Sequence, residues 1–256
     1  MTGLDSLAFA LPAGVDPIVA VGLTALSFLT GLLTACLGLG GGLLMIAAMA
    51  SVIPPVALVP VHGVVQLGSN LGRAALFRSH TRWDIVGWFA VGAMVGVTLG
   101  VMVAVQLPRE LLLATIGVFI LASIWTPKVK VWPVPEKGFV LIGLISAFAT
   151  MFVGTTGPLL APFLSAERLV DRRTTLGTFA ACMTLKHSLK VAAFAAIGFV
   201  YLPWLPLVGA MIVTGFLGTV AGRAIVVRVP EAAFRVGFKL LLTALAIRLL
   251  WQAFNA

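Results

Sequence analysis

The sequence predicts an all-α polytopic membrane protein built from two inverted repeats, each a broken helical hairpin followed by three transmembrane helices. The first observation is composition: 61% of the 256 residues are hydrophobic and only 10% are charged, whereas a soluble domain carries about 25% charged residues. The second is a series of apolar segments of roughly 17–25 residues, the length that crosses a bilayer. The third is a similarity between the two halves of the chain.

Short polar or proline-containing breaks divide the chain into segments. The predicted order begins with an external N-terminal segment, 1–17. The first repeat, 18–127, has a hairpin at 18–53 and crossings at 57–78, 84–106 and 109–127, and a basic linker follows at 128–137. The second repeat, 138–252, has a hairpin at 138–166 and crossings at 174–198, 203–222 and 231–250. Each predicted crossing is mostly apolar and long enough for the hydrocarbon core.

The two hairpin segments differ from the crossings because glycine-rich sequence interrupts them. Residues 18–53 are too many for one crossing and contain GLGGG at 38–42, and residues 138–166 contain GTTGP at 154–158. Unwound backbone at membrane depth is tolerated only where protein or a cavity lines it. We therefore predict an arm, an unwound tip and a second arm in each segment. Close helix packing is the alternative use for these glycines.

The distribution of basic residues favours hairpins that return to the side they entered from. In that topology eleven basic residues share one side of the membrane and two lie on the other. The larger group is Arg78, Arg82, Lys128, Lys130, Lys137, Arg168, Arg172, Arg173, Arg223, Arg228 and Arg235, and the smaller is Arg109 and Arg248. Two single passes would divide the same residues six to seven. Because basic residues concentrate on the cytoplasmic side, we predict re-entrant hairpins and an external N-terminus.

Two short patterns of the first half recur in the second half. The aligned positions are Gly31, Gly38, Gly41, Asn70 and Arg73 in the first half and Ala147, Gly154, Gly157, His187 and Lys190 in the second. Three crossings per half is an odd number, so the second repeat starts on the opposite side of the membrane. Inverted repeats with discontinuous helices are the architecture of many secondary transporters.

Three cations lie deep in apolar sequence, and no carboxylate accompanies them. They are Arg73, Lys186 and Lys190, whereas all eight acidic residues fall at the ends of apolar segments or between them. A buried charge is costly unless something compensates it, so the simplest partner is a bound anion. The alternative for Arg73 is that its long side chain extends to the nearby helix end.

The crossing that follows each hairpin carries the polar residues of the predicted substrate site. A spacing of three places Asn70 beside Arg73 and His187 beside Lys190 on a helix face, and both cations suit a small oxyanion. The broken helices could add free N–H groups and a positive dipole. The predicted substrate-binding residues are Arg73, Asn70, Ser69, Gln66, Lys186, His187, Lys190, Gly40, Gly41, Gly42, Thr155, Thr156 and Gly157.

Other function classes have little support. The sequence shows no nucleophile–base pair, metal-ligand cluster or paired carboxylates, so we expect neither an enzyme nor a cofactor. The net charge of +9 lies mostly in short loops, where the positive-inside bias explains it better than a nucleic-acid partner. The expected partners are a small anionic substrate and the lipid bilayer. Coupling to a proton or to sodium, and assembly as a homodimer, stay open.

Across about residues 18–250 the chain resembles the sulfite exporter TauE/SafE family, also called the sulfonate uptake/export permeases. The positions that carry the resemblance are 38–42, Asn70, Arg73, 154–157, Thr178, His187 and Lys190. The resemblance implies an inner-membrane secondary carrier of sulfite, a sulfonate or a related organosulfur anion. Family members more often have Asn where this chain has His187 and a small residue where it has Arg73, so the substrate's identity stays open.

The leading hypothesis is a secondary transporter that works by alternating access. Arg73, Lys186 and Lys190 would neutralise the anion, and the hairpin tips would help to orient it. The alternatives are an anion channel or a carrier of another small organic anion.

Overall fold

The structure of the chain is a computed structural model that describes residues 11–12, 14–37, 40–126, 134–166, 171–225 and 231–255. In these ranges the chain forms ten α-helices and three short 3₁₀ segments, with no strand, which confirms the predicted all-α fold. Most of the predicted N-terminal segment, most of the predicted basic linker, and Gly38 and Leu39 of the first tip lie outside the described residues.

The helices in chain order are α1 (Pro17–Leu37), α2 (Gly41–Ala50), α3 (Pro55–Leu76), α4 (Trp83–Ala104), α5 (Arg109–Trp125), α6 (Phe139–Val153), α7 (Gly157–Ala166), α8 (Arg172–Ala196), α9 (Leu205–Ile225) and α10 (Glu231–Phe254). The 3₁₀ segments are Arg78–His80, Glu136–Gly138 and Leu202–Trp204.

Proline, aspartate and glycine set several helix boundaries. Pro55 opens α3, where its missing N–H would have no helical acceptor. Asp171 precedes α8, and its carboxylate accepts the Thr174 N–H at 2.8 Å. Gly154 ends α6 with φ 75°, and Gly40 precedes α2 with φ 106°. Glycine adopts this left-handed conformation at little cost, so both glycine-rich sequences interrupt helical structure.

Five helices of the described chain are long and apolar enough to cross a membrane. These spans are Pro17–Ala35, Trp83–Ala104, Glu136–Val153, Leu202–Gly222 and Val236–Phe254. The helices at the predicted crossings 57–78, 109–127 and 174–198 are not among them. α5 has only 17 residues, and α3 and α8 carry polar side chains that lower their hydropathy.

Large apolar side chains cover much of the outer surface of the helices. Leu99, Leu141, Phe216 and Trp251 are examples of exposed large apolar residues. In water such a surface would be an aggregation hazard. Its position on the long helices is what contact with lipid requires.

The arms of the first hairpin differ in length. α1 has 21 residues and α2 has 10, which at about 1.5 Å per residue gives about 31 Å and 15 Å. The first arm can therefore cross a hydrocarbon core of about 30 Å, whereas the second covers half of it. The start of α2 packs closely against α1, since a Cβ on Gly41 would collide with the Thr34 hydroxyl of α1. The side on which each hairpin opens stays a prediction.

The most extensive helix contacts come in pairs related by exchange of the two halves. α4 packs on α6 and α1 packs on α9, followed by α3 on α8 and α5 on α10. Glycines allow the closest approach: a Cβ on Gly92 would collide with the Val140 carbonyl, and one on Gly218 with the Phe28 carbonyl. If the two halves are exchanged, α1 corresponds to α6, α3 to α8, α4 to α9 and α5 to α10. The α4–α6 pair then becomes the α9–α1 pair, and the pairs α3–α8 and α5–α10 are unchanged. This pairing supports a repeat, while its inversion stays a prediction.

Candidate functional site

The central helix pair, α3 and α8, positions most of the buried polar side chains. The polar groups recur at three- and four-residue spacings, which places them together on one face of each helix. The fully or almost fully buried polar residues of these two helices are His62, Gln66, Asn70, Thr178, Lys186, His187 and Lys190. Such side chains need partners inside the protein or a ligand, and the structure shows which of them have partners.

A small cavity lies where the two broken hairpins meet α3 and α8, and we call it the first cavity. Its volume is about 30 Å³, which is room for about two water molecules. Its lining residues are Thr34, Gly40, Gly41, Gly42, Leu43, Gln66, Asn70, Arg73, Thr155, Gly157, Pro158, Phe179 and Met183. No Asp or Glu belongs to this lining, so the cavity suits a small ligand that carries negative charge or accepts hydrogen bonds.

Arg73 is held at the first cavity by its own helix. Its Nη2 donates to Asn70 Oδ1 at 2.9 Å, and its Nε donates to the Ser69 carbonyl at 3.3 Å. Asn70 is fixed in turn, because its Nδ2 donates to the Gln66 carbonyl at 2.7 Å. The guanidinium therefore points back along α3 and away from the helix end at Leu76. This geometry contradicts the alternative in which the side chain extends toward the nearby C-terminal end, and it leaves part of the donor fork for a ligand.

Two helix N-termini also border the first cavity. α2 begins at Gly41 and α7 begins at Gly157, and both glycines line the cavity. The first N–H groups of a helix have no helical acceptor, and the helix dipole makes this end positive. Arg73 and the two helix ends are thus three sources of positive potential around one small volume.

The two buried lysines contact the second break through residues that do not line the first cavity. Lys190 Nζ donates to the Gly154 carbonyl at 2.7 Å, and Lys186 Nζ donates to Ser146 Oγ at 3.0 Å and to Thr156 Oγ1 at 2.5 Å. Because Gly154 follows the last residue of α6, its carbonyl lies at the negative end of that helix dipole. Lysine ammonium groups therefore stabilise the unwound backbone here.

The two buried histidines lie between the breaks. His62 Nε2 is 3.1 Å from the Gly42 carbonyl, and the His62 and His187 rings are 6.5 Å apart in an edge-to-face arrangement. Among the described residues, neither ring nitrogen of His187 has a hydrogen-bond partner. His187 packs near the site without joining the first cavity.

The structure thus divides the predicted site residues into two groups. The first cavity contains Gln66, Asn70, Arg73, Gly40, Gly41, Gly42, Thr155 and Gly157. The residues placed elsewhere are Ser69, Thr156, Lys186, His187 and Lys190. Arg73 and Lys190, which align in the repeat, therefore occupy different environments.

Sequence reasoning missed several residues of the first cavity. Leu43, Phe179 and Met183 are apolar, so nothing distinguishes them from the other apolar residues in these helices. Thr34 has a detectable signal, since its hydroxyl lies in an apolar arm seven residues before Gly41. Thr178 is one of the positions that carry the family resemblance, but its hydroxyl accepts the Arg82 N–H at 3.0 Å and so holds the loop before α4.

The fold and the site define a class of protein. A helical chain with several helices long enough to span a membrane, and with broken helices that meet at a small polar cavity, has features common among membrane transporters.

Comparison with known families gives a narrower result. The family model described as sulfite exporter TauE/SafE matches residues 23–249. The chain therefore belongs to the sulfite exporter TauE/SafE family, which confirms the resemblance, and it is a multi-pass membrane protein of a transporter family. No match was found among curated proteins or among solved structures.

Proposed function

We propose that the protein is a secondary transporter of a small sulfur-containing oxyanion, such as sulfite or a short sulfonate, and that the anion binds in the first cavity. The observation that carries the proposal is the convergence of Arg73 with the N-termini of α2 and α7. Arg73 is partly buried, and a cation at membrane depth without a carboxylate partner is costly unless an anion compensates it.

The geometry of the first cavity fits a compact oxyanion. Oxyanion oxygens accept hydrogen bonds in several directions, and donors surround this cavity on three sides: the Arg73 fork, the Gly41 end of α2 and the Gly157 end of α7. Charge-assisted hydrogen bonds of this kind are about twice as strong as neutral ones. A volume of about 30 Å³ does not accommodate a bulky organic group without movement of the hairpins.

Alternating access is part of the proposal because residues of both broken hairpins line the cavity. Each hairpin contributes one wall, and the glycine-rich breaks are the points where the backbone can pivot. Movement of one hairpin against α3 and α8 would expose the same anion site first to one side and then to the other. We also propose the inner membrane and an external N-terminus, on the basis of the family and the distribution of basic residues.

The test is counterflow of radiolabelled sulfite in liposomes that contain the purified protein. Wild-type protein should exchange external labelled sulfite for internal unlabelled sulfite, and Arg73→Gln should lose most of this exchange. Arg109→Gln is the matched control, because Arg109 is an exposed arginine at the start of α5. Exchange of cations in preference to sulfite, or equal exchange by Arg73→Gln and wild type, would contradict the proposal. Conductance without counterflow would indicate a channel.

A further inference from the structure

A second cavity adjoins the first on the side of α1 and α9. Its volume is about 20 Å³, which is room for one water molecule or one small ion. Four residues line both cavities: Thr34, Gly41, Gly42 and Gln66. The remaining lining residues are Ser27, Thr30, Gly31, Val65, Ser69, Met211, Ile212 and Gly215.

The hydroxyl groups of α1 in this second cavity are committed as donors. Ser27 Oγ donates to the Met211 carbonyl at 2.6 Å, Thr30 Oγ1 donates to the Ser27 carbonyl at 3.0 Å, and Thr34 Oγ1 donates to the Thr30 carbonyl at 2.7 Å. A hydroxyl has a single hydrogen, so each of these oxygens keeps only acceptor capacity. Ser27 is 3% exposed and Thr30 is 7% exposed, which places these acceptors in the protein interior.

The second cavity therefore differs in chemistry from the first, although the Gly41 end of α2 borders both. Neutral oxygens line it, and no Lys or Arg belongs to its lining. Thr34 lies in the last turn of α1, whose C-terminal end is the negative end of the helix dipole. Oxygen ligands beside the C-terminal end of a broken helix suit a hard cation.

Size and charge narrow the class of cation. Calcium and magnesium sites in proteins rely on carboxylates, and the second cavity has none among its lining residues. A space of one water volume favours a small monovalent cation. We propose that the second cavity is a sodium site that is energetically coupled to anion binding in the first, an inference that rests on the proposed function.

Coupling between the sodium site and the anion site is expected because four residues line both cavities. A cation beside the Gly41 end of α2 and near Arg73 is repelled until an anion balances the positive charge. Sodium should consequently bind more tightly when the anion is present, and by thermodynamic reciprocity the anion should bind more tightly when sodium is present. We expect sodium to raise sulfite affinity about tenfold, within the usual range of such couplings.

The test is binding of radioactive sodium to the purified full-length protein, with and without sulfite, in choline chloride. Wild type should bind sodium saturably, with potassium a poor competitor. Thr30→Val and Ser69→Ala should each weaken sodium binding about tenfold, because both residues line only the second cavity. Thr98→Val is the matched control: Thr98 is exposed, and its hydroxyl makes the same type of bond to the Met94 carbonyl at 2.9 Å.

The outcomes separate this inference from the proposed function. Variants that unfold at the wild-type temperature in choline chloride but lose sodium binding support the sodium site. Sulfite counterflow that is unchanged when potassium or choline replaces sodium overturns the sodium site and leaves anion transport intact. If sodium binds to the wild-type protein and is weakened by Thr30→Val, but the wild-type protein does not transport sulfite, the proposed function alone is overturned. Equal sodium binding by Thr30→Val, Ser69→Ala and wild type overturns the inference.

Discussion

The two hairpin breaks occupy equivalent positions in the repeat but are stabilised in different ways. At the second break, Lys186 and Lys190 donate to the hydroxyls of Ser146 and Thr156 and to the Gly154 carbonyl. At the first break, no lysine or arginine bonds the described backbone, and His62 contacts the Gly42 carbonyl.

This difference shows that Arg73 and Lys190, although they align in the repeat, have different roles. Lys190 stabilises unwound backbone, whereas Arg73 presents part of its donor fork to the first cavity. Lysine side chains bond the second break, whereas no lysine or arginine bonds the described backbone of the first; the helix ends of both breaks border the first cavity. The backbone of the second break is accordingly held in place by more side-chain hydrogen bonds. The first break is the one whose residues line both cavities.

Substitution of the positive-φ glycine at each break should give the largest effects and should distinguish the two breaks. Gly154→Ala is expected to lower the free energy of unfolding by about 3 kcal/mol, because the left-handed conformation strains alanine and its Cβ would approach Ile46 Cδ1 at 2.7 Å. Gly40→Ala should cost less, about 2 kcal/mol, since its Cβ would meet only the Phe238 ring, which can move. Denaturant unfolding in micelles measures both.

The control for these glycine variants is Gly72→Ala. A Cβ there has nothing within 4 Å, and alanine favours a helix, so its stability should stay within about 0.5 kcal/mol of wild type. Equal losses at Gly154 and Gly40 would remove the proposed difference between the breaks.

Neutralisation of the two aligned cations should give the next largest effect. Arg73→Gln is expected to weaken sulfite binding about 100-fold through the loss of direct charge-assisted bonds. Lys190→Gln should weaken it about tenfold or less, because Lys190 acts only through the field of its charge. Equilibrium binding of labelled sulfite measures the ratio, and a larger loss for Lys190→Gln would reverse the assignment of roles.

Removal of one hydroxyl at the second break should cost less. Thr156→Val deprives Lys186 of one of its two side-chain acceptors, so the free energy of unfolding should fall by about 2 kcal/mol. Thr115→Val, at a partly exposed threonine of α5 whose hydroxyl bonds its own helix, should leave stability almost unchanged. Similar unfolding curves for the two variants would show that the Lys186 bonds contribute little.

The smallest expected effect concerns the residue that holds Arg73. Asn70→Ala releases the guanidinium from its 2.9 Å bond, so sulfite affinity should fall about tenfold or less as the side chain loses its fixed orientation. Asn255→Ala, near the C-terminus and exposed, is the control. Unchanged affinity in Asn70→Ala would show that Arg73 does not need this support.

The sequence allowed prediction of the class and of the positions where the helices break. Composition and segment length indicated a membrane protein, and the glycine runs marked Gly40 and Gly154, because left-handed backbone favours glycine. The absence of acidic partners for Arg73, Lys186 and Lys190 was visible in the spacing of charges along the chain.

The roles of the individual cations could not be predicted in this way. Lys186 and Lys190 bond groups on α6 and at the start of α7, and only the tertiary structure shows that these hydroxyls and this carbonyl come within reach. The second cavity depends likewise on the packing of α1 against α9, where Ser27 bonds the Met211 carbonyl across 184 positions of sequence. Periodicity within one helix contains no information about such a distant partner.

The most direct test of the account is the location of a heavy-atom substitute for the anion. Crystals grown with selenite, a close analogue of sulfite, should give an anomalous peak within hydrogen-bond distance of the Arg73 guanidinium, between the Gly41 and Gly157 helix ends. A peak at the Lys186 and Lys190 ammonium groups, with none beside Arg73, would contradict the account.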